Sequence, residues 1–135
     1  MEKYPFELFG VECADGWKSL LQPIFDYVEQ YNKEHEEHKL EFLQVKEKFG
    51  GLRVYMNFET EELQKLIEEA ESKSYLTCEF CGATENVGTI INGWISTCCE
   101  DCAKRISENR KTFKEVKWKS NSTKEVKSFI DGKEQ

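Results

Sequence analysis

The sequence predicts an α+β fold from three observations. Two stretches, Asp15 to Tyr31 and Thr60 to Ser74, carry apolar residues at helical period; two alternating segments lie between them; two Cys-x-x-Cys pairs follow. The implied order is helix, antiparallel β-hairpin and helix over residues 1–75, a metal-held module over 76–110, and a basic C-terminal tail over 111–135. A chain of 135 residues buries enough surface for one core with a small appendix.

In the first helix Trp17, Leu20, Leu21, Ile24, Val28 and Tyr31 fall on one face, with Asp15 placed to cap the first turn. Pro23 removes one helical hydrogen bond, so the helix either kinks there or restarts with Pro23 in its first turn. Leu40 to Lys46 and Leu52 to Phe58 read as strands, the second alternating through Leu52, Val54, Met56 and Phe58. Gly50-Gly51 supplies the turn, since glycine adopts positive φ freely, and Lys48-Phe49-Gly50-Gly51 is the hairpin link between antiparallel strands. In the second helix Leu63, Leu66, Ile67 and Ala70 form the stripe, and acids fill the first turn, where the helix dipole favours them.

Cys78-Glu79-Phe80-Cys81-Gly82 and Cys99-Glu100-Asp101-Cys102 are separated by 17 residues that include Asn92-Gly93, a strong hairpin signal. Each pair aims two thiolates at one ion, and together they make a tetrahedral four-sulfur zinc site. The first pair resembles a zinc knuckle. Val87 to Ile91 and Trp94 to Cys98 form the hairpin, and Cys99 and Cys102 open a helix reaching Arg110. Knuckle, hairpin and ligand-bearing helix resemble the treble-clef zinc fold, an architecture that does not fix function. Cys98 competes with Cys99 as a ligand, but Cys99 keeps the two-residue gap to Cys102 and places both on one helical turn; Cys98 is then a buried strand-end thiol. Cys13 reads as a core cysteine.

The net charge of −7 divides unevenly: residues 1–102 carry 9 basic and 21 acidic side chains, residues 103–135 carry 10 and 5. The acidic body repels nucleic acid, while the tail attracts it or an acidic protein. No apolar run suffices for a membrane span, and Met1 to Glu7 lack the pattern of a secretory signal, so a reducing cytoplasm is expected. The two histidines, in His35-Glu36-Glu37-His38, lack metallopeptidase spacing and read as a solvated helix end. A closed thiolate shell offers no open coordination position, and no histidine lies in the metal region, so the expectation is a protein that is not an enzyme, with a hydrolase as the third reading.

For a contact surface, Lys46, Lys48, Phe49, Arg53 and Tyr55 cluster about the glycine turn, and Trp118 lies among the tail lysines, where it stacks on a base, adds an edge strand or packs back on the body. Residues 10–103, above all Cys13-Ala14-Asp15-Gly16-Trp17, Lys48-Phe49-Gly50-Gly51-Leu52-Arg53, Cys78-x-x-Cys81-Gly82 and Gly93-Trp94, resemble a family of small bacterial and phage zinc-binding proteins. That resemblance implies an intracellular zinc protein, and histidine at the position of Cys102 in such proteins supports the Cys99 and Cys102 pair. It implies no substrate. The expected role is a protein-binding module, a phage or bacterial regulator or inhibitor of a host enzyme or defence complex, with nucleic-acid binding through the tail as the alternative.

Overall fold

The computed structural model describes residues 11–12, 14–109 and 115–135. A three-stranded sheet has the order β1-β2-β3, from β1 (Val11–Glu12), β2 (Phe42–Lys48) and β3 (Gly51–Met56). β1 is parallel to β2, and β2 is antiparallel to β3. A five-stranded antiparallel sheet has the order β5-β4-β6-β7-β8, from β4 (Val87–Ile90), β5 (Ser96–Cys99), β6 (Glu115–Ser120), β7 (Val126–Ile130) and β8 (Lys133–Glu134). The helices are α1 (Lys18–Glu34), α2 (Glu61–Ser74) and α3 (Glu100–Glu108). The expected α+β class is therefore the observed one.

In the first half, Leu21, Ile24, Phe25 and Val28 of α1 and Leu63, Ile67 and Ala70 of α2 pack with Val45, Leu52, Val54 and Met56 of the sheet. A bulge between Phe42 and Gln44 lets Phe42 turn to this core, where its ring meets Phe25 edge-on at 5.3 Å. Thr60 caps α2 by accepting the N–H of Leu63 at 3.1 Å. Asp15 does not cap α1. It sits inside a 3₁₀ turn, Asp15–Trp17, and pairs with Lys18 at 3.0 Å. Pro23 lies within one continuous helix, so the restart alternative is excluded.

The β2–β3 link is the expected Lys48-to-Gly51 segment, with the turn centred on Phe49-Gly50 instead of on the two glycines. Lys48 pairs with Gly51, which leaves Phe49-Gly50 as the loop, at φ +53° and +85°. Positive φ at both positions is what a type I′ hairpin requires, and it is unusual for phenylalanine. At the open edge of β3, the N–H of Leu52 donates to the Ser74 hydroxyl at 2.9 Å, and that of Val54 donates to the Glu71 carboxylate at 3.1 Å. Side chains of α2 thus blunt an edge that would otherwise invite strand addition.

Residues 115–135 are not an appended tail. β6 pairs with β4 of the metal hairpin, and β7 and β8 extend the same sheet. Along β6, Val116, Trp118 and Ser120 are buried, while Glu115, Lys117 and Lys119 face solvent. Asp131-Gly132, both at positive φ, turns β7 into β8. Lysines on alternate positions are thus the outer face of a half-buried strand, with its apolar partners turned inward. The second core gathers Cys78, Ile90, Cys98, Cys99, Cys102, Ala103, Val116, Trp118 and Phe129. The metal module therefore extends beyond residue 110. Cys13 and the segment 110–114 lie outside the described residues.

Candidate metal centre

Cys78, Cys81, Cys99 and Cys102 place their sulfurs within 4.8 Å of one another. Cys81 and Cys99 stand 3.7 Å apart, far beyond a disulfide bond. Four sulfurs at about 2.3 Å from a shared tetrahedral ion would stand about 3.8 Å apart, so the set fits one metal ion. Local hydrogen bonds shape the first pair. The Gly82 N–H reaches the Cys78 carbonyl at 2.9 Å, the Cys78 N–H reaches the Ala83 carbonyl at 2.8 Å, and the Cys81 N–H points to the Cys78 sulfur at 3.5 Å. Gly82, at φ +83°, supplies the left-handed turn this loop needs. Cys99 ends β5 as the N-cap residue of α3, one position before the helix, and Cys102 follows on the first turn.

Geometry, not thiol acidity, separates the four from Cys98, whose sulfur is not part of the close-set group. Cys98 is fully buried, and burial, followed by the electrostatic influence of the neighbouring Cys78 and Cys99 sulfurs, drives its pKa far upward. It remains a neutral core thiol. Burial likewise raises Cys99 and Cys102 wherever no cation offsets it. At Cys81 burial again opposes ionisation, but the Ala83 N–H and the neighbouring thiols outweigh it and lower the pKa. Gathering four thiols into one space disfavours their joint ionisation, and a bound cation reverses that balance. Cys81 is exposed while the other three are buried, so the cluster meets solvent on one side.

The hairpin between the pairs has a longer loop than Asn92-Gly93 alone would give. Ile90 pairs with Ser96, leaving Ile91 to Ile95 as the connection. Gly93 has φ +83°, while the Asn92 side chain bonds β6, donating to the Glu115 carbonyl at 3.0 Å and accepting the Lys117 N–H at 3.3 Å. Asn92 is thereby spent on joining the loop to the next strand.

The first half of the chain braces this centre through contacts that join residues far apart in the sequence. The Gly16 N–H donates to the Glu79 carbonyl at 2.6 Å, and a side chain at Gly16 would run into the carbonyls of Cys78 and Glu79. Trp17, fully buried, donates its indole N–H to the Thr77 carbonyl at 3.0 Å. Glu79 is 6% exposed; its carboxylate accepts the Ala14 N–H at 3.1 Å and the Ser96 hydroxyl at 3.0 Å. Burial raises the Glu79 pKa, and those two donors oppose the rise. The Thr97 hydroxyl donates to the Gly50 carbonyl at 2.6 Å, tying the Phe49-Gly50 turn to β5. The Ala14-to-Trp17 and Lys48-to-Arg53 segments thus meet at the knuckle and at β5. Their clustering around glycines was the available signal; their joint destination was not.

The candidate contact residues divide. Lys46 and Arg53 are directly opposite each other, and Arg53 and Tyr55 face away from the core that Leu52, Val54 and Met56 line. Phe49 is 71% exposed at the hairpin tip with the Lys48 ammonium 6.0 Å from its ring, and Arg53 donates to the Tyr75 hydroxyl at 2.8 Å. Trp118 does not belong with them. It is 2% exposed, its indole N–H donates to the Cys98 carbonyl at 2.9 Å, and its ring fills the space over Gly88. It is a wall of the metal module's core, closed to a partner or a base. His35 stacks on Tyr31 at 3.9 Å, His38 is exposed, and among the described residues neither joins a metal-ligating group. Among the described residues no helix is long and apolar enough to cross a membrane.

In comparison with known proteins, no family model matches the chain, and neither a curated protein nor a solved structure matches it significantly.

Proposed function

We propose that the chain is a non-enzymatic, zinc-stapled protein-binding module that acts in the cytoplasm by docking on, and regulating or inhibiting, another protein. Zinc suits the centre because an all-thiolate tetrahedral donor set selects soft or borderline ions, and four protein ligands leave no position for substrate. Knuckle, β4–β5 hairpin and α3 follow in the order of a treble clef, and we read them as one, enlarged by β6 to β8. The single observation that carries the binding role is Phe49. A large aromatic side chain, 71% exposed and in left-handed backbone, is disfavoured on both counts, yet its turn is pinned to the module by the Thr97–Gly50 bond of 2.6 Å. Rigidly mounted aromatics flanked by arginine are the usual anchors of protein interfaces. Lys46, Lys48, Arg53 and Tyr55 would surround it, favouring a partner with an apolar pocket rimmed by carboxylates.

The test places a photo-crosslinking residue at Phe49 and, as a control, at exposed Val126, in the zinc-loaded chain. Capture from Phe49 alone, and at least about tenfold weaker binding of the captured protein by Phe49→Ala and Arg53→Ala, are the expected results. Equal capture from both positions, or unchanged affinity, overturns the reading. The nucleic-acid alternative rests on Lys117 and Lys119, which share the outer face of β6. It requires binding to DNA or RNA that falls steeply with salt and is lost in Lys117→Ala/Lys119→Ala.

A further inference from the structure

At the end of the body away from the metal centre, α1 and α2 enclose a groove of about 390 Å³. The separation follows from α2, whose last turn meets Leu52 beside the hairpin tip and whose first turn lines the groove, a span of about 21 Å for its 14 residues. One wall is an aromatic ladder on successive turns of α1. Tyr27 stacks on Tyr31 at 6.1 Å, Tyr31 stacks on His35 at 3.9 Å, and Phe58 meets Tyr31 edge-on at 6.3 Å. Glu34 and Glu62 supply carboxylates on the two sides, and neither is in an ion pair among the described residues.

We infer that this groove binds an arginine side chain presented by a basic protein segment, at a site separate from the Phe49 surface and independent of that reading. The two carboxylates supply the charge opposite to a guanidinium in the fork geometry it matches, and the stacked side chains give its flat head and stem a wall to lie against. Arginine is favoured over lysine because its planar head both stacks on rings and bonds two oxygens at once. The walls are also ordered in advance. The Tyr27 hydroxyl is 2.6 Å from the Thr60 hydroxyl and donates to Glu62 at 3.3 Å; the His35 ring nitrogen Nδ1 lies 2.9 Å from the Tyr31 carbonyl; Gln30 holds Glu34 at 2.8 Å. Side chains already fixed lose little entropy when a ligand arrives. The volume falls within the range of small-ligand clefts, ample for a guanidinium and its stem.

The experiment titrates the 15N-labelled, zinc-loaded chain with the peptide acetyl-Gly-Arg-Gly-Arg-Gly-amide and with its citrulline counterpart, which keeps the shape and loses the charge. Expected are amide shifts centred on Tyr31, Glu34, His35 and Glu62, and binding at least about tenfold weaker for citrulline and for Glu34→Gln/Glu62→Gln. These exposed substitutions leave the Thr60 cap in place, so the fold serves as its own control in the same spectra. No binding at millimolar peptide, equal binding of citrulline, shifts centred elsewhere on the acidic body, or an unaffected double variant each overturns the inference.

Discussion

The two halves of the molecule solve the same problem with different materials. Among the described residues the body closes on thirteen buried apolar side chains, eleven from two helices and a sheet, with Trp17 from the turn before α1 and Leu40 from the segment before β2. In the metal module four of the nine buried cluster members are cysteines, and large apolar groups come mainly from Ile90, Val116, Trp118 and Phe129. Burial of a full apolar side chain contributes about 1.5–3 kcal/mol, whereas structural zinc contributes about 10–16 kcal/mol of apparent binding energy. On the zinc reading proposed above, the body holds itself by packing and the module depends on its ion.

The largest expected effect tests that difference. Chelation, or Cys78→Ser, should remove hydrogen-exchange protection from β4 to β8 and α3 while α1, α2 and β3 keep most of theirs, because ion binding and module folding are one equilibrium. The affected region includes residues 115–135, since Val116, Trp118 and Phe129 share one buried cluster with Cys78, Cys99 and Cys102. Uniform loss of protection along the chain would show one cooperative unit instead of two unequal ones.

What could be read from the sequence follows the range of each interaction. The cysteine pairs are separated by short loops, and helical and strand periods repeat within one element, so both survive translation into structure. β6 is equally periodic, but lysines at alternate positions read equally as a basic tail and as the outer face of a strand, and the hairpin signal of Asp131-Gly132 does not by itself say which strand β7 joins. Phe49 at positive φ was hidden for another reason: no local rule assigns left-handed backbone to phenylalanine when two glycines stand beside it. The bracing of the knuckle joins residues 60 to 65 positions apart, such as Trp17 with Thr77 and Ala14 with Glu79, and no period reports a contact of that range.

Within the module the packing share can be sized by Trp118→Ala. The ring is 2% exposed and supports Gly88, and its indole bonds the Cys98 carbonyl, so removal should cost about 3–5 kcal/mol and leave that carbonyl unpaired. Denaturant melts of the zinc-loaded protein check the magnitude. Survival of the four-sulfur metal spectrum, in a cobalt-substituted sample, would confirm that the ion and the sheet stabilise the module separately; a cost under about 1 kcal/mol would place the tryptophan outside the stabilising core.

The seam between the halves is probed by Gly16→Ala. One methyl group would press on the Cys78 and Glu79 carbonyls, and forced overpacking of this kind costs about 1–3 kcal/mol. The distinguishing readout is metal exchange. If the body braces the knuckle, zinc transfer to a competing chelator should accelerate in Gly16→Ala, although no ligand has been touched. An unchanged rate would mean that the module holds its ion without help from the body.

The smallest effect is a gain. Phe49→Asn converts the turn to Asn-Gly, the preferred type I′ pair, and relieves left-handed strain of about 1–2 kcal/mol at a side chain that is 71% exposed and loses little burial. A rise in stability of up to about 1 kcal/mol is expected, read as a higher denaturation midpoint with an unchanged slope. The Thr97 hydroxyl, which bonds the Gly50 carbonyl at 2.6 Å, helps hold the strained turn against the module. Thr97→Val should therefore destabilise the native protein by about 0.5–1.5 kcal/mol and the Phe49→Asn background by less. Additive changes in the double variant would show that the turn keeps its shape without the module, and that the two halves are coupled through the knuckle and not through the hairpin tip.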